Sequence, residues 1–200
     1  MRRLAHLRSG ELPSDDLLRS LVRGWNNDDF VAQPEYLRAL AQLCSASTLP
    51  ILECGSGLTT IVCAAIAGRR GIEVWTLENH LGWLARVRNA SRIFASPMLH
   101  LKHAPLRSYG DFDWYEIQPE DLPARFGLVI CDGPRGTTRG GRFGLMPVLG
   151  DRLAPGSVIL ADDVHRDAER NVIEKWRTFA HMDFAVEPSG SRAFALITLR

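Results

Sequence analysis

The sequence predicts an α/β protein: a doubly wound, seven-stranded sheet, mostly parallel, closed by a C-terminal antiparallel hairpin and preceded by an N-terminal helical arm. Two observations predict it. From Pro50 onward, short apolar runs alternate with longer amphipathic stretches, the rhythm of a parallel sheet covered by helices on both faces. At the end of the chain, residues 183–187 and 192–199 are two strand-like runs joined only by Pro188, Ser189, Gly190 and Ser191. That link is too short for a crossover helix, so the two runs must pair with each other.

The elements follow in order. Residues 15–23 and 34–43 carry apolar positions at helical spacing, with Pro34 suited to a first helical turn. The polar segment 24–30, GWNNDDF, reads as a loop between them. Residues 1–46 are thus assigned to the arm and residues 47–200 to a single α/β domain. Within that domain, strands are expected at 51–54, 74–77, 99–103, 127–131 and 157–161, and helices at 59–67, 81–94, 142–153 and 168–179. The least regular stretch, 109–125, reads as a long surface loop.

Composition narrows the function. With 24 Lys and Arg against 23 Asp and Glu, the net charge is +1, and 46% of residues are hydrophobic. Such a chain is one ordinary soluble domain, neither disordered nor fibrous. It gives no electrostatic argument for a nucleic-acid partner or a membrane surface. The four cysteines form no C-x-x-C pair and read as small core hydrophobes of a reducing compartment. The start, MRRLAHLRSGELPSDD, lacks the apolar stretch of a signal peptide, and no run approaches the roughly 18 residues of a membrane span. A cytoplasmic location is expected.

Chemistry concentrates where strands end. Glu53, Gly55, Ser56, Gly57 and Thr59 lie in LECGSGLTT, at a strand-to-helix junction where glycines let backbone approach a ligand. Thr60 occupies the third glycine position of the dinucleotide fingerprint, which argues against a pyrophosphate. Glu53 would repel a diphosphate but suits an ammonium group, directly or through water. Glu78, after the second strand, is placed to accept both ribose hydroxyls, with Asn79 beside it. Ala104 and Pro105, after the third strand, form a small turn able to pass close to a purine. Asp132 ends the fourth strand, and Asp162, Asp163 and His165 follow the fifth. Ligands of open α/β sheets bind over these carboxyl ends. Helix capping is the plain alternative for Asp162 or Asp163.

From about Pro50 the chain resembles the class I S-adenosylmethionine-dependent methyltransferases, a Rossmann-like family. The resemblance rests on Glu53, Gly55, Ser56 and Gly57 for the first motif, Glu78 for the ribose-binding acid, Asp132 for the fourth motif, and the closing hairpin. More narrowly, LECGSGLTT with CDGPRG, GRFG and ADDVHRDAE is similar to a bacterial branch that shares a D-G-P-x-G signature with glucuronoxylan O-methyltransferases. The resemblance implies S-adenosylmethionine as cofactor and a glycan or other small polar molecule as methyl acceptor. It also implies a carboxylate set, Asp132, Asp162 and Asp163, like the one that holds a divalent cation in catechol-type enzymes, although the third ligand there is usually Asn. Three hard oxygen ligands suit magnesium or manganese. The metal-free alternative makes His165 or Asp132 the general base.

Arg135, Arg139 and Arg142, set among glycines, read as a mobile basic loop able to grip an acidic group, or as plain solvated surface. Trp25, Tyr36, Trp114 and Tyr115 are candidates for an acceptor pocket or for packing. The rival functions are a NAD-dependent oxidoreductase or epimerase, and a non-catalytic cofactor-binding module of the same fold. Size leaves acceptor choice to the arm, the long loops or a second subunit, so a homodimer is one arrangement allowed.

Overall fold

The computed structural model describes residues 1–8, 10–25 and 32–200. Its centre is a seven-stranded sheet of β1 (Ile51–Cys54), β2 (Val74–Glu78), β3 (Leu99–His103), β6 (Phe126–Cys131), β7 (Leu153–Ala161), β8 (Met182–Ser189) and β9 (Arg192–Leu199). The strands lie in the order β3-β2-β1-β6-β7-β9-β8. Every pairing is parallel except those of β9, which runs against both β7 and β8. The predicted fold class is the one observed. The order reverses direction beside β1, so the carboxyl ends of β1, β2 and β6 open onto one crevice.

Local sequence explains the central elements. β1, ILEC, is buried at all four positions, as a strand covered on both faces must be. The helix behind it, α4 (Leu58–Ile66), is LTTIVCAAI and is buried at every position. A helix apolar all round belongs inside a layer.

Two apolar layers flank the sheet. On one face Ile51, Val74, Leu128 and Ile130 pack with α4 and with the arm helices α1 (Arg2–Ala5), α2 (Asp15–Trp25) and α3 (Pro34–Ala46). The arm therefore shares the domain's core. On the other face Leu52, Cys54, Val129 and Cys131 pack with α6 (Leu145–Leu149), α7 (Asp167–Trp176), Trp114 and Tyr115. α5 (Leu81–Ser91) continues into a 3-10 turn at Arg92–Phe94. All four cysteines are free and buried, with Cys44 and Cys63 sulfurs 3.4 Å apart. Among the described residues, no helix is long and apolar enough to cross a membrane.

Several boundaries differ from expectation. The loop expected at 24–30 gives up Gly24 and Trp25 to α2, and the rest of it lies outside the described residues. The stretch 109–125 is not loop throughout. Asp113–Tyr115 forms β5, paired antiparallel with β4 (Leu106–Ser108), and fully buries Trp114 and Tyr115. Two large aromatics gain more from burial against the sheet than the polar residues around them lose. α6 spans Leu145–Leu149, and after a 3-10 turn β7 begins at Leu153, inside the expected helix. The closing hairpin is longer than read, pairing Pro188 with Ala193 and Ser189 with Arg192 around a two-residue turn. Gly190 supplies the positive φ of 60° that the turn needs.

Candidate active site

The turn from β1 into α4 is built for close approach. Gly55 has φ 87°, and a Cβ placed there would lie 3.0 Å from the Gly133 nitrogen. A Cβ on Gly133 would meet the Tyr115 hydroxyl at 2.5 Å and the Gly55 Cα at 2.9 Å. The glycine turn and the loop after β6 thus touch backbone to backbone. Both amides after that strand also bond to the Cys54 carbonyl, Asp132 N–H at 3.1 Å and Gly133 N–H at 2.7 Å.

Glu78 ties the end of β2 to this turn. Its Oε2 accepts from Ser56 N–H at 3.0 Å and Ser56 Oγ at 2.7 Å, and its Oε1 accepts from His80 N–H at 2.8 Å. An ionised carboxylate has about four acceptor directions, so these three bonds leave about one, on Oε1, for a ligand's hydroxyl. Asn79, half-buried, bonds through its carbonyl oxygen to His103 Nε2 at 3.3 Å. Ala104 is buried at the end of β3, while Pro105 is exposed. Ala104 borders a cleft of about 250 Å³ with Leu77, His103, Ile117, Gln118 and Asp121.

Glu53 is engaged by protein groups on both carboxyl oxygens. It is fully buried, with Oε1 accepting from Thr59 at 2.6 Å and Oε2 accepting from Thr60 and Thr76 at 2.7 Å each. Thr60 Oγ1 in turn accepts the Gly57 N–H at 2.9 Å. The carboxyl therefore stitches β1, β2 and the first turn of α4 together and holds the glycine turn from behind. Thr59, read as a cofactor contact, is one of its donors. Burial pushes the Glu53 carboxyl up to about 7 despite the three hydroxyls.

The strand-end acids do meet, around an unexpected partner. Arg142, read as part of a mobile loop, has a side chain only 3% exposed. Its Nη2 donates to the Asp132 carbonyl at 2.9 Å, lies 3.3 Å from Asp132 Oδ1 and 3.4 Å from Asp163 Oδ2, and its Nε lies 3.6 Å from Glu169 Oε2. Its Nη1 donates to the Asp162 carbonyl. Burial works against this charge, but Asp132 and Glu169 more than offset it and raise the pKa. Arg166 approaches Asp163 Oδ2 at 3.0 Å from the exposed side. Asp163 sits at φ 62°, a left-handed conformation that Asp tolerates better than most residues. Its N–H donates to Asp162 Oδ1 at 2.7 Å. Burial, reinforced by Asp132 and Asp163, pushes the Asp162 carboxyl up to about 7.

The three aspartates expected as metal ligands are engaged by protein groups here. Two of those side chains point at a guanidinium, and the third caps a backbone N–H. Among the described residues, no group of three or more His, Cys, Asp and Glu is disposed to hold a metal ion. His165 is exposed on the turn before α7 and takes no part in the cluster. Of the other arginines read as one loop, Arg139 pairs with Asp113 at 2.6 Å beside the β4–β5 hairpin. The aromatics Trp25, Tyr36, Trp114 and Tyr115 are all buried in the core. The Tyr36 and Tyr115 hydroxyls nevertheless have no hydrogen-bond partner. Burial, then the Asp162 and Asp132 charges, raise the Tyr36 pKa.

No family model and no curated protein matches the sequence. Solved structures do resemble the fold. An O-methyltransferase from Bacillus cereus in complex with SAH superposes with a TM-score of 0.65 at 16% identity, covering 94% of this chain and 92% of that one. An SAH-bound methyltransferase of Podospora anserina gives 0.67 at 16% identity, covering 100% and 93%. The precorrin-6y C5,15-methyltransferase of Geobacter metallireducens gives 0.62 at 14%, covering 87% and 92%. The fold is the one these methyltransferases share. Within it the strand-end positions named above, Ser56, Glu78, Ala104 and Asp132, all lie along the carboxyl edge of the sheet.

Proposed function

We propose that this chain is an S-adenosylmethionine-dependent methyltransferase acting on oxygen of a sugar-like or other small polar acceptor. The observation that carries the reading is Glu78, a strand-end carboxylate that already organises the Ser56 turn and keeps acceptor capacity toward the crevice. The structural relatives bound to SAH support it. Thr60, bonded to Glu53 and Gly57 where a dinucleotide-binding turn carries glycine, supports it against the dehydrogenase reading.

The residues fit such a cofactor. Glu78 would accept a ribose hydroxyl, the Ser56–Gly57 turn would hold the amino-acid end, and the cleft beside Ala104 the purine. When bound, S-adenosylmethionine supplies a methyl carbon on a positively charged sulfur. Asp132 is the strand-end carboxylate open to the crevice, with 34% of its side chain exposed, whereas Asp162 and Asp163 are covered. It is therefore placed to meet an acceptor hydroxyl and take its proton. Arg142, held on both the carbonyl and the carboxylate of Asp132, fixes that oxygen in position.

Calorimetry with S-adenosylmethionine, S-adenosylhomocysteine and NAD tests the cofactor. Binding of the first two and not NAD is expected; NAD binding without an adenosylhomocysteine signal would overturn the reading. A screen of glycans and small polyols with labelled methyl then identifies the acceptor, and the Asp132→Asn variant should lose transfer while keeping cofactor binding.

A further inference from the structure

We infer that Arg142 is a built-in cation of the site: its guanidinium takes the place among the strand-end carboxylates that the family resemblance would give to a divalent ion, and the site works without one. The inference rests on the methyltransferase reading for the reaction it serves, but the charge arrangement stands on its own.

The placement of the donors speaks against a metal, with Asp163 Oδ1 the one carboxylate oxygen of the cluster that is buried without a hydrogen-bond partner among the described residues. A hard divalent cation needs several oxygens converging on one point at about 2.0–2.6 Å. Here Asp132 Oδ1 and Asp163 Oδ2 converge on Arg142 Nη2, at 3.3 and 3.4 Å, the spacing of an ion pair to nitrogen. Asp162, the third expected ligand, spends Oδ1 on the Asp163 N–H at 2.7 Å. The guanidinium is further held by the backbone carbonyls of Asp132 and Asp162 and by Glu169 from α7. An ion entering between Asp132 and Asp163 would have to strip off those contacts and lie against a fixed positive charge, with Arg166 on its other flank.

The fork geometry suits the task. Arg142 reaches the ends of β6 and β7 and the first turn of α7 with one planar group, as a single ammonium could not. Unlike a metal, it cannot be chelated away, and it is no Lewis acid toward a bound hydroxyl. Arg142 is thus a positioning residue: it holds Asp132, and the acceptor's proton must go to a carboxylate without a metal's help.

Manganese provides the probe. With the full chain, electron paramagnetic resonance at millimolar Mn²⁺ should show only the free-ion signal, and S-adenosylhomocysteine affinity should change by less than about twofold on adding EDTA. Arg142→Met removes the guanidinium and frees the carboxylates, so that variant should gain bound Mn²⁺. The gain should vanish in Arg142→Met combined with Asp132→Asn, and be absent in Arg142→Lys, which keeps a charge there. A merely structural Arg142 predicts no such gain. Stoichiometric Mn²⁺ on the wild-type chain that disappears in Asp132→Asn overturns the inference, as does a folded Arg142→Met protein that binds none. Should that variant not fold, the wild-type Mn²⁺ measurement alone decides. Failure to bind S-adenosylhomocysteine in the same samples sinks the methyltransferase reading and leaves the cation result intact.

Discussion

Replacing Glu53 with glutamine should flatten the pH dependence of stability. The wild-type carboxyl rises from its ordinary 4.5 to about 7 in the fold, because burial outweighs the three threonine hydroxyls. The native state therefore holds this proton more tightly than the unfolded chain. The stabilisation is fully present below pH 4.5 and is lost as pH rises through 7. Between about pH 5 and pH 8 the loss amounts to about 2–3 kcal/mol, or roughly 4–12 °C in Tm for a chain of this size. Glutamine keeps an oxygen for Thr60 and Thr76 and presents its NH₂ to Thr59, whose hydroxyl can turn to accept. It carries no charge at either pH. Urea unfolding followed by tryptophan fluorescence at both pH values measures the difference between the two proteins. That difference should move toward the variant by about 2–3 kcal/mol between the two conditions. Parallel pH profiles for the two proteins would show that Glu53 does not titrate in this range and that the buried knot has been misjudged.

Glu78→Ala should remove at least about 90% of S-adenosylhomocysteine affinity, about 1.4 kcal/mol or more, in calorimetry, with the fold checked by circular dichroism. Gly133→Ala drives a methyl group to within 2.5 Å of the Tyr115 hydroxyl and 2.9 Å of the Gly55 Cα, so a loss of about 1–3 kcal/mol is expected in thermal unfolding. Adding Tyr115→Phe should recover part of it and not all, since the backbone contact remains. Tyr115→Phe alone deletes a buried, unpartnered hydroxyl. It should leave stability unchanged or raise it by up to about 1 kcal/mol, and any fall in adenosylhomocysteine affinity would show that a bound ligand is the missing partner.

The sequence shows the sheet well because its signals are local and strong. β1, β2, β6 and the hairpin β8–β9 are runs of apolar residues bounded by turns, and a link as short as 188–191 permits only one pairing. Acids that follow such runs are placed by the strands themselves, which is why Glu78 and Asp132 fall at the sheet's carboxyl edge. Side-chain direction is a different matter. Glu53 alternates onto the α4 face of β1, where Thr59, Thr60 and Thr76 await it, and nothing in LECGSGLTT announces Thr76 from the next strand. Arg142 lies in a glycine-rich stretch that looks solvated, and only the fold brings Asp132, Asp163 and Glu169 around it from three separate elements. Trp114 and Tyr115 sit between polar neighbours, so their burial depends on the sheet face they cover. The available hint was the pairing of two large aromatics in so polar a segment.

The contact between Gly55 and Gly133 constrains how this molecule can change. Two loops from neighbouring strands abut there with no side chain between their backbones, and the Tyr115 hydroxyl lies against the same point. Neither loop can take on bulk, shift or loosen without moving the other, so the floor of the crevice behaves mechanically as one piece. A search for altered variants would gain by leaving both glycines in place.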